Sequence, residues 1–229
     1  MNKERVKISR REFLIGSAAA GAGLTLGMYL PLAGAAEGSA AGAVSAASSE
    51  VNAWVVVKPD DTVIIRIARS EMGQGTLTGL AQMVAEELEC DWSKVTTEYP
   101  TPGQSLARDR VWGSFSTGGS FGIRGSHEYV RKGGAVAREM LIEAAAEAWG
   151  VPASECSVAA SVITHRPSGR TTTYGKVATA ATELFPPEQV ELKDPQDWKL
   201  IGQPVKRLDT LDKLTGKQVF GADLSLPGM

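Results

Sequence analysis

The chain is poor in metal-ligating side chains: its 229 residues include only two cysteines and two histidines. Cys90 and Cys156 lie far apart and lack CxxC or Cys/His spacing, so no metal held by this chain's own side chains is expected. The two thiols either pair or stay free, and nothing in the sequence brings them together, so free thiols are the expectation. His127 and His165 are expected as surface or loop residues. Basic runs are also missing beyond the first eleven residues, and the net charge is -2. Nucleic acid is therefore not an expected partner, because phosphate contacts need clustered Lys and Arg. No internal repeat is found. What remains is an ordinary globular composition, 43% hydrophobic and 22% charged, with chain enough for roughly one to two domains.

The N-terminus reads as an address. A basic segment with Arg10 and Arg11 precedes an uncharged run from Phe13 to Leu32, and Ala33-Gly34-Ala35 then supplies a small-residue cleavage pattern. "SRREFL" resembles a twin-arginine export signal, a route for proteins that fold, often around a cofactor, before export. The run is about long enough to span a bilayer, so membrane association is the alternative. Its abundance of Gly and Ala makes it only mildly hydrophobic and favours the signal. Residues 1–36 are thus expected as a signal peptide, with a periplasmic destination. Residues 37–52 are expected as a flexible Gly/Ser/Ala linker, and the folded part is expected to start near Asn52.

Hydrophobic periodicity then predicts an α+β chain: a mixed sheet with hairpins and two amphipathic helices. "AWVVVKPDDTVIIRIARS" is two β-rich runs around Pro59-Asp60-Asp61, a hairpin. From Leu77, apolar residues recur at Leu80, Ala81, Val84, Ala85 and Leu88, which predicts a helix. Thr76 is its expected N-cap, and Glu86, Glu87 and Glu89 fall off its apolar stripe. "KVTTEY" is a short strand. Residues 100–125 form a long Gly/Ser-rich loop in which Trp112, Phe115 and Phe121 argue against disorder. A second helix is expected from Ser126 to Trp149, with Val130, Ala137, Met140, Leu141, Ala144 and Ala148 on its buried face. Trp92 and Trp149 are expected to pack. Two strands around Pro167-Ser168-Gly169 and a short helix from Tyr174 to Thr182 follow. The tail from 202 is extended and turn-rich.

Two Gly-rich segments carry the candidate chemistry. In "RSEMGQGTLTGLAQMVAEELECDW", Gly73 and Gly75 allow close backbone approach or positive φ. The helix N–H groups behind them favour negative charge, and Gln74 offers both a donor and an acceptor. A dinucleotide site is one reading, with Glu98 placed where a ribose-binding acid belongs. The spacing Gly73-x-Gly75-x-x-x-Gly79 departs from G-x-G-x-x-G. Arg66 and Arg69 are also unexpected in a central parallel strand. A ligand-free tight turn is the plainer reading. The second segment, "SFSTGGSFGIRGS", offers hydroxyls at Ser114, Ser116, Thr117 and Ser120, backbone N–H groups at Gly118 and Gly119, and the Arg124 guanidinium. That set suits a phosphate or pyrophosphate. No Lys-Ser or Lys-Thr pair follows the glycines, so it is not a Walker loop.

Together, "EMGQGTLTGLAQMVAEELECDW", "STGGSFGIRGS" and "GQPVKRLDTLDKLTGKQVFGADLSLPGM" resemble the molybdenum-cofactor-binding subunit of the xanthine oxidase family, over about Ala53 to Met229. The similar branch holds the isoquinoline 1-oxidoreductase beta subunit and periplasmic aldehyde dehydrogenases. The resemblance implies that Gly73, Gln74 and Gly75 contact the pterin or dithiolene, and that Ser116, Thr117, Gly118, Gly119 and Ser120 lie near the phosphates. Arg124 joins them on its chemistry. The implied cofactor is molybdopterin cytosine dinucleotide with Mo. The implied reaction is hydroxylation of aldehydes or N-heterocycles with water as oxygen source. The implied partners are a small subunit with two-iron two-sulfur clusters, a cytochrome c as electron acceptor and a small-molecule substrate. The family's catalytic glutamate and its "GGGFGRR"-like segment lie downstream of anything present here, so no catalytic residue is assigned, Glu71 included. Residues 53–200 are expected as the molybdopterin-binding segment. Residues 201–229 are expected as the start of a truncated hammerhead-like α/β domain, which makes the chain an N-terminal fragment. A NAD-linked exported dehydrogenase and a non-catalytic periplasmic binding module stand as alternatives.

Overall fold

The computed structural model describes residues 48–229. The expected signal peptide and most of the expected linker lie outside the described residues. The fold begins earlier than Asn52, with β1 (Ser49–Glu50). It pairs antiparallel with β2 (Val55–Val57), which pairs antiparallel with β3 (Val63–Arg66) through Val57↔Val63. The hairpin expected around Pro59 is therefore present. β4 (Val95–Glu98) completes a four-stranded sheet and lies parallel to β3, with Arg66 opposite Glu98. Every residue of β2 and β3 is buried, which explains their near-continuous Val and Ile.

Helix α1 (Thr76–Leu88) links β3 to β4. β3, α1 and β4 thus form a strand–helix–parallel-strand unit with Arg66 in its buried central strand. Arg66 is tolerated because its charge is paired on both sides: its guanidinium lies 2.7 Å from Glu50 and 2.6 Å from Glu98. A buried charge held between two carboxylates avoids the cost of an unpaired one. The N-cap of α1 is Gly75, with φ +88°, so Thr76 is the first helical residue rather than the cap.

Two short helices, α2 (Pro102–Leu106) and α3 (Phe121–Arg124), interrupt the expected long loop. Helix α4 (His127–Trp149) is buried along most of its length, although Ala148, expected inside, is exposed. It packs directly on α1. A Cβ on Gly134 would overlap the Val84 carbonyl, and one on Gly133 would press on the Trp54 ring. Trp112 is a structural residue, buried with its Nε1 donating to the Ala53 carbonyl at 3.0 Å. Trp92 and Trp149 pack against the core, as expected.

The second sheet has three strands where two were expected: β5 (Cys156–Ala159), β6 (Val162–His165) and β7 (Thr171–Thr173), all antiparallel. The missed turn between β5 and β6 puts Ala160 and Ser161 at positive φ. Tight hairpin turns need that conformation, and Gly, Asn or Asp usually mark it. Helix α5 (Tyr174–Ala181) follows as expected. His165 is buried rather than on the surface, held between Glu155 at 2.8 Å and Ser168 at 2.7 Å. His127 opens α4, half-buried, with its ring beside Trp198. Both cysteines are free thiols, and burial pushes the Cys90 thiol up to about 12.

Two of the glutamates that fall off the apolar stripe of α1 anchor it to the rest of the chain. Glu87 is fully buried against Arg131 at 2.6 Å, and its carboxylate also accepts from the Lys193 N–H. Glu86 accepts the backbone N–H groups of Lys199, Leu200 and Ile201 and pairs with the Lys193 ammonium. One turn earlier, Gln82 donates to the carbonyls of Leu200 and Gln203. A turn before that, the Thr78 hydroxyl accepts from the Leu208 N–H. Thr78, Gln82 and Glu86 are four residues apart and so share a face of the helix. Residues 193–208 form a strap along that polar stripe, running opposite to α1. Residues 201–209 are thereby fastened to the same unit as α1. Beyond them lie α6 (Thr210–Leu214), one short 3₁₀ turn and otherwise irregular chain, with no strand among the described residues.

The α1–α4 crossing generates a prediction. Gly134→Ala improves helix propensity by about 1 kcal/mol, yet forces the helices apart, which costs about 1–3 kcal/mol. Its urea midpoint is expected to fall. A midpoint equal to or above wild type would show that the close approach does not constrain position 134.

Candidate functional site

The turn between β3 and α1 is built by its own side chains. The Glu71 carboxylate accepts the N–H groups of Gly73 at 2.7 Å, Gly75 at 3.0 Å and Leu77 at 3.1 Å. These are among the orphan donors that a helix N-terminus leaves unsatisfied. Gln74 closes the other side: its Oε1 accepts from the Met72 N–H, while its Nε2 donates to the Ser70 carbonyl and the Thr76 hydroxyl. Gly73 has φ +104° and Gly75 +88°, and a Cβ added at either would meet nothing within 4 Å. The space in front of both is open.

Arg207, from the strap, completes the turn. Its guanidinium lies 3.0 Å from Glu71, donates to the Gly73 carbonyl at 2.9 Å, and is forked onto Asp209. Burial pushes the Glu71 carboxyl up, but the N–H donors of Gly75, Leu77 and Gly73 and the Arg207 charge outweigh it and hold the group below its ordinary value. The Arg207 hydrogen bonds hold Asp209 lower still. Tyr99 sits behind, its hydroxyl accepting from the Glu71 N–H; burial, with Glu71 next to it, raises the phenol.

The structure brings the two Gly-rich segments together. Arg69 donates to the carbonyls of Ser114 at 2.7 Å and Ser116 at 2.6 Å, and its Nε reaches the Ser126 hydroxyl. The Ser70 N–H donates to the Thr117 hydroxyl at 2.9 Å. Behind the loop, α3 packs on the start of α1, where a Cβ on Gly122 would collide with the Thr76 side chain. Gly73, Gln74, Ser116, Gly118, Gly119, Ser120 and Arg124 are exposed, while Gly75 and Thr117 are half-buried.

The two segments differ in what they leave open. In the first, most polar groups are consumed internally. In the second, no partner among the described residues engages the Ser116 or Ser120 hydroxyl or the N–H groups of Gly118 and Gly119. Arg124 makes no ion pair among the described residues and lies over the Phe121 ring at 4.3 Å. Gly119 and Ser120 both take positive φ, which turns this stretch of backbone outward. Glu98, the residue a dinucleotide reading would need free, is spent on Arg66. The face is open: cavities of about 560 and 620 Å³ lie elsewhere, beside Arg138.

Glu71, Arg69, Ser70 and Arg207 were not among the sequence candidates. Glu71, two residues before the first glycine and six before Leu77, was the available signal, since carboxylates are favoured at helix N-termini. Nothing local marks Arg207, which is 134 residues from Gly73.

Residues 3–222 match the family described as "Molybdopterin cofactor-binding domain". The chain is 31% identical, over 99% of its own length, to the membrane-bound aldehyde dehydrogenase [pyrroloquinoline-quinone] of Gluconacetobacter polyoxogenes. It is likewise 31% identical, over 99% of its length, to the isoquinoline 1-oxidoreductase subunit beta of Brevundimonas diminuta. It spans 29% and 33% of these two relatives. Among solved structures, a Cu,Mo-CO dehydrogenase aligns at 20% identity with a TM-score of 0.43, over 55% of this chain and 15% of that one.

The Glu71 geometry sets a pH dependence. A carboxylate whose pKa is lowered on folding stabilises the fold above its unfolded value of about 4.3, and that contribution is lost as pH falls below it. Arg207 stays charged throughout, and Asp209 protonates at lower pH than Glu71. The amide proton resonances of Gly73, Gly75 and Leu77 are expected to move together in an acid titration, with a midpoint below about 4.3. Three independent midpoints, or one above that value, would contradict the shared carboxylate.

Proposed function

We propose a function from one premise: the chain belongs to the molybdopterin cofactor-binding domain family. It is the molybdopterin-binding portion of an exported oxidoreductase that hydroxylates aldehydes or N-heterocycles. The observation that carries this reading is the clamp of Arg69 and Ser70, which holds two Gly-rich segments on one open face. An extended cofactor with a polar ring system at one end and phosphates at the other needs such a pair.

The residues fit that group. Gly73 and Gly75 leave space for a flat ring to approach the backbone. Gln74, fixed by its own hydrogen bonds, presents a rigid polar edge. The N–H groups of Gly118 and Gly119, the hydroxyls of Ser116, Thr117 and Ser120, and the Arg124 guanidinium would hold the phosphate oxygens of the cytosine dinucleotide form of the cofactor. When bound, the molybdenum centre supplies two-electron oxidation with water as the oxygen source. This chain's residues bind and orient the cofactor. No substrate-side catalytic base is assigned to this chain, which spans 29% and 33% of its two relatives. The partners this reading calls for are a small subunit with two-iron two-sulfur clusters, which would take the electrons, and a cytochrome c as electron acceptor. Residues 1–36 direct export by the twin-arginine route, and residues 201–229 lead into a hammerhead-like domain. Among the described residues no helix is long and apolar enough to cross a membrane.

The test is elemental analysis and pterin fluorescence of the protein purified with its genomic neighbours. Molybdenum and pterin near one per chain are expected. Pyrroloquinoline quinone without molybdenum would move the chain to the cofactor named for the Gluconacetobacter relative, and neither would favour a binding module. Arg124→Ala removes a charged hydrogen-bond donor, worth about 1.5–3 kcal/mol. It is expected to lower cofactor retention after gel filtration about tenfold or more. Gln74→Ala is expected to lower retention less steeply. Full molybdenum content in both variants would remove these residues from the site.

A further inference from the structure

The helix N-terminus behind the first turn is already filled by a negative charge. Glu71 takes the N–H groups of Gly73, Gly75 and Leu77, the donors that would otherwise attract a phosphate. Its carboxylate is largely buried, at 9% side-chain exposure, and is held from behind by Arg207. Arg207 in turn engages the Gly73 carbonyl, so the peptide groups on both sides of Gly73 are fixed. A second anion arriving there meets a carboxylate that already holds three of the turn's N–H donors. The opposite holds at the second segment, where Gly118, Gly119 and Arg124 keep their donors and no carboxylate bonds to them.

We infer that Glu71, locked by Arg207, sets the direction in which the cofactor binds: it excludes phosphate from the Gly73–Gly75 turn, reserves that turn for an uncharged ring edge, and leaves the anionic end only the Gly118–Arg124 segment. This rests on the proposed function for the identity of the ligand, though the charge asymmetry stands without it. Glu71 and Arg207 are positioning residues and need not touch the cofactor. Arg207 also makes the turn dependent on the strap. Detachment of residues 201–209 would remove the Arg207 contacts to Glu71 and to the Gly73 carbonyl.

The test uses the full chain without cofactor and inorganic pyrophosphate as the probe, followed by amide resonances. In wild type, pyrophosphate is expected to shift Gly118, Gly119 and Ser120 and to leave Gly73, Gly75 and Leu77 unmoved. In Glu71→Gln, which keeps the side-chain size and an acceptor oxygen, the second group is expected to respond as well. Affinity at the turn should rise about fivefold, the effect of removing one unit charge about 4 Å away in water. Pyrophosphate shifts at Gly73, Gly75 and Leu77 in wild type would overturn the inference, as would an unresponsive turn in a folded Glu71→Gln. Should that variant not fold, the wild-type titration still decides. Arg207→Gln gives a second reading: it is expected to broaden or split the Gly73 and Gly75 amides without creating a phosphate site, and unchanged resonances would count against the lock. If the protein purified with its genomic neighbours carries no molybdenum or pterin while the cofactor-free chain still shows the asymmetry, the proposed function fails and only the charge asymmetry remains.

Discussion

Carboxylates that accept backbone N–H groups hold this structure together. Glu71 gathers three at the start of α1, and Glu86 gathers three from the strap at its end. Glu87, between the strap and α4, pairs with Arg131 and takes a further N–H. Irregular chain carries unsatisfied donors wherever it is buried, and each would cost free energy if left alone. The glutamates remove that cost and pin the strap to the helix. The strap then delivers Arg207 to the turn, so the shape of the candidate site depends on anchors two helical turns and more away.

That arrangement explains why the site is preformed. Gly73 and Gly75 could adopt many conformations in isolation. With Glu71 on their N–H groups, Arg207 on the Gly73 carbonyl and Gln74 bridging Ser70 and Thr76, few remain. The second segment is held less completely, through Arg69 and Thr117 at one end and the packing of α3 at the other. One half of the face is rigid and internally satisfied, and the other keeps open donors. A ligand that is flat at one end and charged at the other matches that division.

Much of this was legible in the sequence, and the losses have physical causes. The hairpin, α1, α4 and α5 followed from periodicity because their apolar residues face one core. The β5–β6 turn was missed because Ala160 and Ser161 take positive φ without a glycine to mark it. The reason a charge is tolerated at Arg66 was not legible, because its partners, Glu50 and Glu98, come from different strands, and pairing between strands is invisible to a local pattern. The burial of Glu86 and Glu87 was not legible because periodicity reports apolar burial only, and it places both off the apolar stripe. The candidate residues of the two Gly-rich segments do share a face. The residues that bring them there, Arg69, Ser70, Glu71 and Arg207, carry no local signature beyond the acidic residue ahead of the helix.

The strap is recognised through its main chain. Glu86 reads the N–H groups of positions 199, 200 and 201, and Gln82 reads the carbonyls of 200 and 203. Side-chain identity at those positions is thus left nearly unconstrained by the anchor, and sequence there is free to drift between relatives while the path of the chain is kept. The exception is proline, which has no N–H to offer. At 199–201 it would break the attachment from inside the strap, leaving both glutamate and helix intact.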